Sequence, residues 1–120
     1  MSTRAHGKAA KIEYPPQIVT GTWSTMQCRR GTETPGGTFT LAISERRRLD
    51  GFFVDAETGA TAKFTGRITP RGFVRGRVKQ GRIVRGVATG TTNVEIYGVF
   101  FGRCVGTFDT EPAPAEAASN

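Results

Sequence analysis

Histidine is almost absent from this chain of 120 residues: the one histidine is His6, close to the N-terminus. The carboxylates are scattered along the chain, and no spacing of Asp or Glu predicts a general acid–base pair. A nucleophile of the Ser–His or Cys–His kind would have to recruit His6 itself. The sequence therefore predicts no catalytic residue, and we expect a protein that is not an enzyme.

Ligands for a metal or a cofactor are equally scarce. Cysteine occurs twice, as Cys28 and Cys104, and this spacing matches no metal-binding motif. No glycine-rich loop leads into a helix that could hold a phosphate group. We therefore predict neither a cofactor nor a bound metal.

Long apolar segments are also missing. No run is long enough to span a bilayer, and the N-terminal segment lacks the hydrophobic core of a secretory signal. We therefore expect no membrane partner and a location in the cytoplasm or within a virion. Reduced thiols are favoured over a disulfide in such a location.

The residues that are abundant indicate a folded β domain. Hydrophobic residues make up 37% of the chain, and glycine is frequent at 16 residues. Eight Phe, one Trp and two Tyr supply bulky side chains for a core. The length suits one domain, and the composition predicts short strands joined by many turns.

An apolar–x–Gly–x–apolar pattern recurs along the chain. Because side chains alternate across a strand, all three positions of each unit lie on one face. Gly66, Gly76 and Gly86 are ten residues apart, which suits one strand plus one tight turn. A tightly curled sheet needs inward positions without side chains, so the pattern predicts a small antiparallel barrel. The units are Val19-Gly21-Trp23, Leu49-Gly51-Phe53, Phe64-Gly66-Ile68, Val74-Gly76-Val78, Val84-Gly86-Ala88, Ile96-Gly98-Phe100 and Cys104-Gly106-Phe108.

Turn sequences rich in Gly, Pro and Thr divide the apolar segments. The last strand is long enough to bend, and Gly102 is the expected place. The predicted fold class is all-β, an antiparallel up-and-down meander of seven or eight strands closing into a small barrel. An open sandwich is the alternative. The predicted strands lie near residues 18–28, 37–44, 49–55, 61–69, 73–79, 82–89 and 93–109.

The two ends differ in composition from the segment between them. Residues 1–16 form a basic arm, and residues 110–120 form a Pro- and Ala-rich tail typical of flexible chains. The barrel domain is therefore predicted for residues 17–109. The arm also has apolar anchors, which we expect to bind a neighbouring chain, for example by adding a strand to a sheet edge: Ile12, Tyr14, Pro15 and Pro16.

Positive charge is concentrated in the middle of the chain. The net charge is +7, and the eight cations from Lys63 to Arg85 are accompanied by no carboxylate. Such a surface attracts acidic proteins or nucleic acid, although a solvated face that discourages strand pairing is an equal alternative. Phe73 shares the strand parity of Arg75, which puts an aromatic ring beside cations, as single-stranded nucleic acids require. The predicted contact surface consists of Arg67, Arg75, Arg77, Lys79, Arg82 and Arg85.

Three glycine-containing segments resemble the calycin superfamily, in particular its avidin-like and lipocalin-like barrels. They are Gly21-Thr22-Trp23, Gly37-Thr38-Phe39-Thr40-Leu41 and Gly51-Phe52-Phe53. The resemblance implies an up-and-down barrel that, in much of the family, holds an apolar ligand in its mouth. It also implies that an arginine on the last strand packs over the tryptophan. Arg103 is the candidate for that contact, and we expect Trp23 to be buried as a plug at the barrel end.

The two cysteines lie near the ends of the first and last predicted strands. These strands become neighbours when a barrel closes, so a disulfide between Cys28 and Cys104 is geometrically feasible. Cys104 shares the glycine face, whereas Cys28 has the opposite parity from Trp23. A disulfide therefore requires a bulge or a register change between Trp23 and Cys28.

Taken as a sequence, the chain favours a structural or interaction module, a subunit of a larger assembly such as a virion or phage component. One alternative is a calycin-like barrel that binds a small ligand. The other is a basic module that binds nucleic acid. The expected partners are other protein chains with acidic surfaces, in a homo- or hetero-oligomer, with nucleic acid as the second choice.

Overall fold

Eight antiparallel strands form a closed barrel in which each strand pairs with its neighbours in sequence and β8 pairs with β1. The computed structural model describes residues 12–28, 36–79 and 82–110, so most of the predicted arm and nearly all of the predicted tail lie outside it. The predicted all-β meander closing into a barrel is confirmed. The strands are β1 (Gln17–Cys28), β2 (Gly36–Ile43), β3 (Arg48–Asp55), β4 (Thr61–Ile68), β5 (Phe73–Val78), β6 (Arg82–Thr89), β7 (Glu95–Phe101) and β8 (Cys104–Thr110).

The segment predicted as one bent strand over residues 93–109 is a hairpin. β7 ends at Phe101, the chain reverses at Gly102 and Arg103, and β8 begins at Cys104. The prediction was wrong here because the apolar alternation continues on both sides of the turn. A periodic pattern alone does not reveal where such a chain reverses.

The glycines of the repeat make room for aromatic rings inside the barrel. Gly66 and Gly76 are cross-strand neighbours, and the fully buried ring of Phe64 packs over both. A Cβ atom on Gly76 would lie 2.6 Å from Cε1 of Phe64 and 2.7 Å from the backbone oxygen of Thr65. Packing of an aromatic ring over interior glycines stabilises curved sheets. The predicted inward orientation of the repeat is confirmed, since Val74 is also buried.

Phe53 lies at the centre of an aromatic core. Its ring centroid is 5.3 Å from that of Phe39, 5.9 Å from that of Phe64 and 6.1 Å from that of Phe108. Stacked and edge-on pairs in this distance range contribute more than their buried area alone. The rings fill the interior that the glycines leave open.

Trp23 closes one end of the barrel, which we call the Trp23 end. Its side chain is 7% exposed, and its ring lies 5.9 Å from that of Phe100 in an edge-on arrangement. Nε1 of Trp23 donates to the backbone oxygens of Thr38 and Val54, each at 3.1 Å. The prediction that Trp23 is a buried plug is confirmed.

A bulge in β1 brings the two cysteines together. The pairing of β1 with β8 shifts between Thr25 and Gln27, so Met26 is exposed while Cys28 lies on the inner side opposite Cys104. Cys28 and Cys104 form a disulfide. The irregularity that the parity of the sequence required is confirmed, and the expectation of reduced thiols is wrong.

The segment before β1 covers the opposite end of the barrel, which we call the Tyr14 end. The backbone nitrogen of Ile12 donates to the oxygen of Pro70 at 3.2 Å, and Tyr14 is 4% exposed within the core. The amide of Gln17 donates to the oxygen of Thr92 at 3.0 Å and accepts from the nitrogen of Val94 at 3.0 Å. This segment therefore contacts two of the turns at its end.

Ile12 and Tyr14 thus pack against the core of their own barrel, whereas the sequence predicted that they anchor the arm on a neighbouring chain. The core begins before residue 17 because the open barrel end exposes apolar side chains that the preceding segment can cover. Pro15 and Pro16 remain exposed. Burial raises the pKa of the Tyr14 hydroxyl, while the nearby Arg47 lowers it.

We expect Tyr14→Ala to lower the free energy of unfolding by about 2 kcal/mol, near the low end for large buried side chains, because a barrel end can partly collapse. Tyr14→Phe is the matched control. The Tyr14 hydroxyl is buried and has no hydrogen-bond partner among the described residues, so its removal should cost nothing. Urea unfolding measures both variants. Equal stability of Tyr14→Ala and wild type would contradict the packing of this segment.

Candidate functional site

Four arginines stand directly opposite one another on the outer wall of the barrel. In register, Arg48 pairs with Arg67, Arg67 with Arg75, and Arg75 with Arg85. All four are exposed. Neighbouring strands are about 4.8 Å apart, so this arginine row extends about 14 Å across the wall. Like charges directly opposite each other destabilise a sheet, so the row needs an explanation other than stability.

Further cations lie beside the arginine row. Arg77 and Lys79 follow on the β5 side, and Lys63 is close to Lys79, whose backbone nitrogen donates to the oxygen of Lys63 at 2.8 Å. No Asp or Glu occurs between Thr61 and Thr89. We call this surface the basic face: Arg48, Lys63, Arg67, Arg75, Arg77, Lys79 and Arg85.

Negative charge reaches the basic face only at its rim among the described residues. A carboxylate oxygen of Asp50 lies 3.7 Å from Nε of Arg48, with both side chains well exposed. An ion pair this open to solvent contributes little to stability. The three arginines on β4, β5 and β6 have no carboxylate on their own strands. They are the part of the row that is available to bind an anionic partner.

Arg82 does not belong to this face, although the sequence placed it there. It shares the inward parity of Val84 at the start of β6, and its side chain is half-buried. Its guanidinium carbon lies 5.9 Å from the centre of the Phe100 ring, at the Trp23 end. Arg103, which was expected to pack over Trp23, is exposed in the turn between β7 and β8. Arg82 is the arginine that lies at this end of the barrel, over Phe100.

The described side chains leave little space between them at the Trp23 end. Trp23, Phe53, Val78, Arg82 and Phe100 enclose a cavity of about 10 Å³. That volume suits about one water molecule, whereas pockets for small organic ligands are typically about 300–1,000 Å³. The cavity among these five described residues is therefore far smaller than the space that the calycin resemblance implies for a ligand.

Two open grooves lie on the outer wall between the arginines. One, of about 480 Å³, is lined by residues around Arg48 and Arg67. The other, of about 280 Å³, is lined by residues around Arg75, Arg77 and Arg85. Guanidinium groups present several donors in a planar fork that fits phosphate and carboxylate oxygens. The grooves place those donors around open spaces with room for an anionic group.

Exposed aromatic rings border the basic face. Phe73 on β5 precedes Arg75 by two residues and is 53% exposed. Phe73 pairs with Val87 on β6, and Val87 pairs in turn with Tyr97 on β7, which is 48% exposed. On the other side of the row, Phe101 pairs with Ile83. The sequence identified only Phe73. The inward parity of Ile96 and its neighbours on β7 would have predicted the exposure of the other two rings.

The opposite wall of the barrel carries little charge. β1 and β2 contain no charged residue, and β8 contains one, Asp109. Their outward positions are mostly threonine and serine, with Thr20 opposite Thr40 and Thr22 opposite Thr38. The positive charge of the described residues is therefore concentrated on one side of the barrel.

Other kinds of site find no support in the described residues. They contain no group of three side chains that could hold a metal ion, and no helix among them is long and apolar enough to cross a membrane. No protein-family model matches the chain, and no curated protein matches its sequence. The function therefore has to be inferred from the geometry of the barrel wall.

Proposed function

We propose that this protein is a non-enzymatic interaction module, a subunit of a larger assembly, which binds an acidic partner through the basic face. The observation that carries the proposal is the arginine row, in which Arg67, Arg75 and Arg85 stand in register. Such an arrangement costs stability unless a partner neutralises it. Local conflicts of this kind are expected at functional sites.

A purely solvated basic surface is the less favoured explanation. Charged residues on strands commonly serve to prevent pairing at an open sheet edge. Because β8 pairs with β1 and the barrel is closed, it has no such edge to protect. The closed fold therefore removes the usual reason for a charged strand surface.

A small-ligand carrier of the calycin kind is also less favoured. The eight-stranded barrel and the buried Trp23 are compatible with calycin architecture, and we extend the resemblance to architecture alone. The space of about 10 Å³ at the Trp23 end supports a packed core more than a binding pocket.

The disulfide bears on where the module works. Disulfides persist in oxidising environments, including virion surfaces, and are rare in the reducing cytoplasm. The Cys28–Cys104 disulfide therefore favours the virion over the cytoplasm as the place where the module works.

Binding of the N-terminal arm to a neighbouring chain stays part of this proposal, although residues 1–11 lie outside the described residues.

The proposal predicts that charge on the row matters more than charge elsewhere. Arg75→Gln/Arg85→Gln removes two cations from the row, whereas Arg71→Gln/Arg103→Gln removes two exposed cations from turns. On immobilised heparin, we expect the first variant to elute at clearly lower salt than the second, because each lost contact reduces counterion release. Identical elution of the two variants, which have equal net charge, would contradict a binding role for the basic face.

A further inference from the structure

We infer that the partner of the basic face is single-stranded nucleic acid, whose phosphates contact the arginine row while its bases stack on Phe73 and Tyr97. The inference rests on the proposed function of the basic face and names the chemistry of its partner. It follows from three features of the barrel wall: the spacing of the arginines, the exposed rings beside them and the width of the surface.

The arginine row offers a series of similar anion sites. Arg67, Arg75 and Arg85 repeat at the strand spacing of about 4.8 Å. One open groove is lined by Arg75 and Arg85, and another is lined by Arg67. Guanidinium groups bind phosphate oxygens in a bidentate manner. A phosphodiester chain presents one anion per nucleotide at regular intervals, which suits a row of equivalent cations better than a single cluster would.

The exposed rings supply a second kind of contact. Phe73 is two residues from Arg75 along β5, a distance of about 7 Å, which a nucleotide spans between its phosphate and its base. Phe73 and Tyr97 are separated by β6, so about 10 Å lies between them. Base stacking on such rings is tolerant of sequence and is typical of proteins that bind single strands.

The shape of the surface disfavours a duplex. The row crosses four neighbouring strands, β3 to β6, on the wall of a closed barrel. The major groove of B-DNA admits a helix or a two-stranded ribbon, and this wall is broader than either. In a duplex the bases are also paired and stacked, so they cannot reach Phe73 or Tyr97.

An acidic protein surface would use the cations but not the rings in this manner. Carboxylates on a folded partner offer no flat group for stacking at each anion. Phe73 and Tyr97 are each about half exposed, with their rings on the same outer wall as the row. The two partners therefore differ in how strongly binding depends on these two rings.

The experiment compares ring and control variants with one fluorescent probe, a 20-nucleotide oligothymidylate, by anisotropy. Phe73→Ala/Tyr97→Ala removes the rings, and Ile18→Ala/Met26→Ala removes two exposed apolar side chains from β1 on the opposite wall. We expect at least tenfold weaker binding for the first variant, since stacking contributes about 1–3 kcal/mol per base and 1.4 kcal/mol is tenfold. The control variant should bind like wild type. Thermal unfolding shows whether both variants fold.

Competition with poly-L-glutamate and with duplex DNA separates the possible outcomes. Weak competition by both, together with the loss on removing the rings, supports the inference. If poly-L-glutamate displaces the oligonucleotide at equal charge, or if the ring variant binds like wild type, the partner is not single-stranded nucleic acid, and the basic face remains an acidic-protein site. Tighter binding of the duplex also overturns the inference. If wild type binds none of these three polyanions, the proposed function itself fails.

Discussion

Replacing Gly76 by valine should lower the free energy of unfolding by about 3 kcal/mol, at the upper end of the usual cost of overpacking. The new Cβ atom would overlap the ring of Phe64 and approach the backbone oxygen of Thr65, and neither can move freely inside a closed barrel. Phe64 is fully buried, so its ring has no solvent to turn into. Urea unfolding of wild type and variant measures the loss.

Arg77→Val is the matched control, because it adds the same side chain at the neighbouring position, where it points to solvent. We expect a change within about 0.5 kcal/mol. In a Phe64→Leu background, Gly76→Val should cost about 1–2 kcal/mol less than in wild type, since the ring tip is gone and the two sites are coupled. A cost that is independent of residue 64 would contradict the packing of the ring over the glycine.

Removing the disulfide should have the largest effect on stability. Cys28 and Cys104 are separated by 76 residues, so the bond constrains most of the unfolded chain. The loop-entropy model gives a loss of about 4.5 kcal/mol for a loop of this size. The bond also joins β1 to β8, where the barrel closes. We expect Cys28→Ala/Cys104→Ala to unfold at much lower urea concentration than wild type.

Reductant provides the control for this prediction. Wild type in dithiothreitol should approach the stability of the double variant, whereas the variant itself should not respond. A wild-type protein whose unfolding midpoint is the same with and without reductant would show that the bond does not stabilise the barrel.

Most of the fold could be predicted from the spacing of the glycines. The repeat around Gly66, Gly76 and Gly86 predicted the strand period and the inward face, because each of these glycines shares its parity with the apolar residues two positions away, which are buried. The parity of Cys28 also indicated that a disulfide with Cys104 needs a bulge or a register change, and β1 has such a bulge. The local sequence pattern was sufficient to predict a structural feature wherever that feature depends on neighbours along one strand or across one hairpin.

The sequence pattern did not predict features that depend on contacts between distant parts of the chain. Tyr14 precedes the first strand, and only the closed barrel creates the open end that it covers. Arg82 differs, because its parity with Val84 already indicates the inward side, where it lies over Phe100, although composition alone groups it with the run of cations. The composition gives only the type of each residue. The contacts of these residues are set by the closed barrel.

The candidate site was predictable in part. Strand parity placed Arg67, Arg75 and Arg85 on the outside, but parity leaves the register open. A shift of two residues in either hairpin would keep these side chains outside and set them diagonally. Arg48 joins the row only through the pairing of β3 with β4, which no local pattern specifies.

The most direct test of the basic face is a ¹H–¹⁵N NMR titration of the full chain with the same oligothymidylate and, separately, with heparin. We expect both ligands to shift the amide signals of Arg67, Arg75 and Arg85, with small changes on β1 and β2. We also expect that only the oligonucleotide shifts the neighbours of Phe73 and Tyr97 by ring stacking. Shifts concentrated on the uncharged wall of β1 and β2, with the signals of the arginine row unchanged, would contradict a binding role for the basic face.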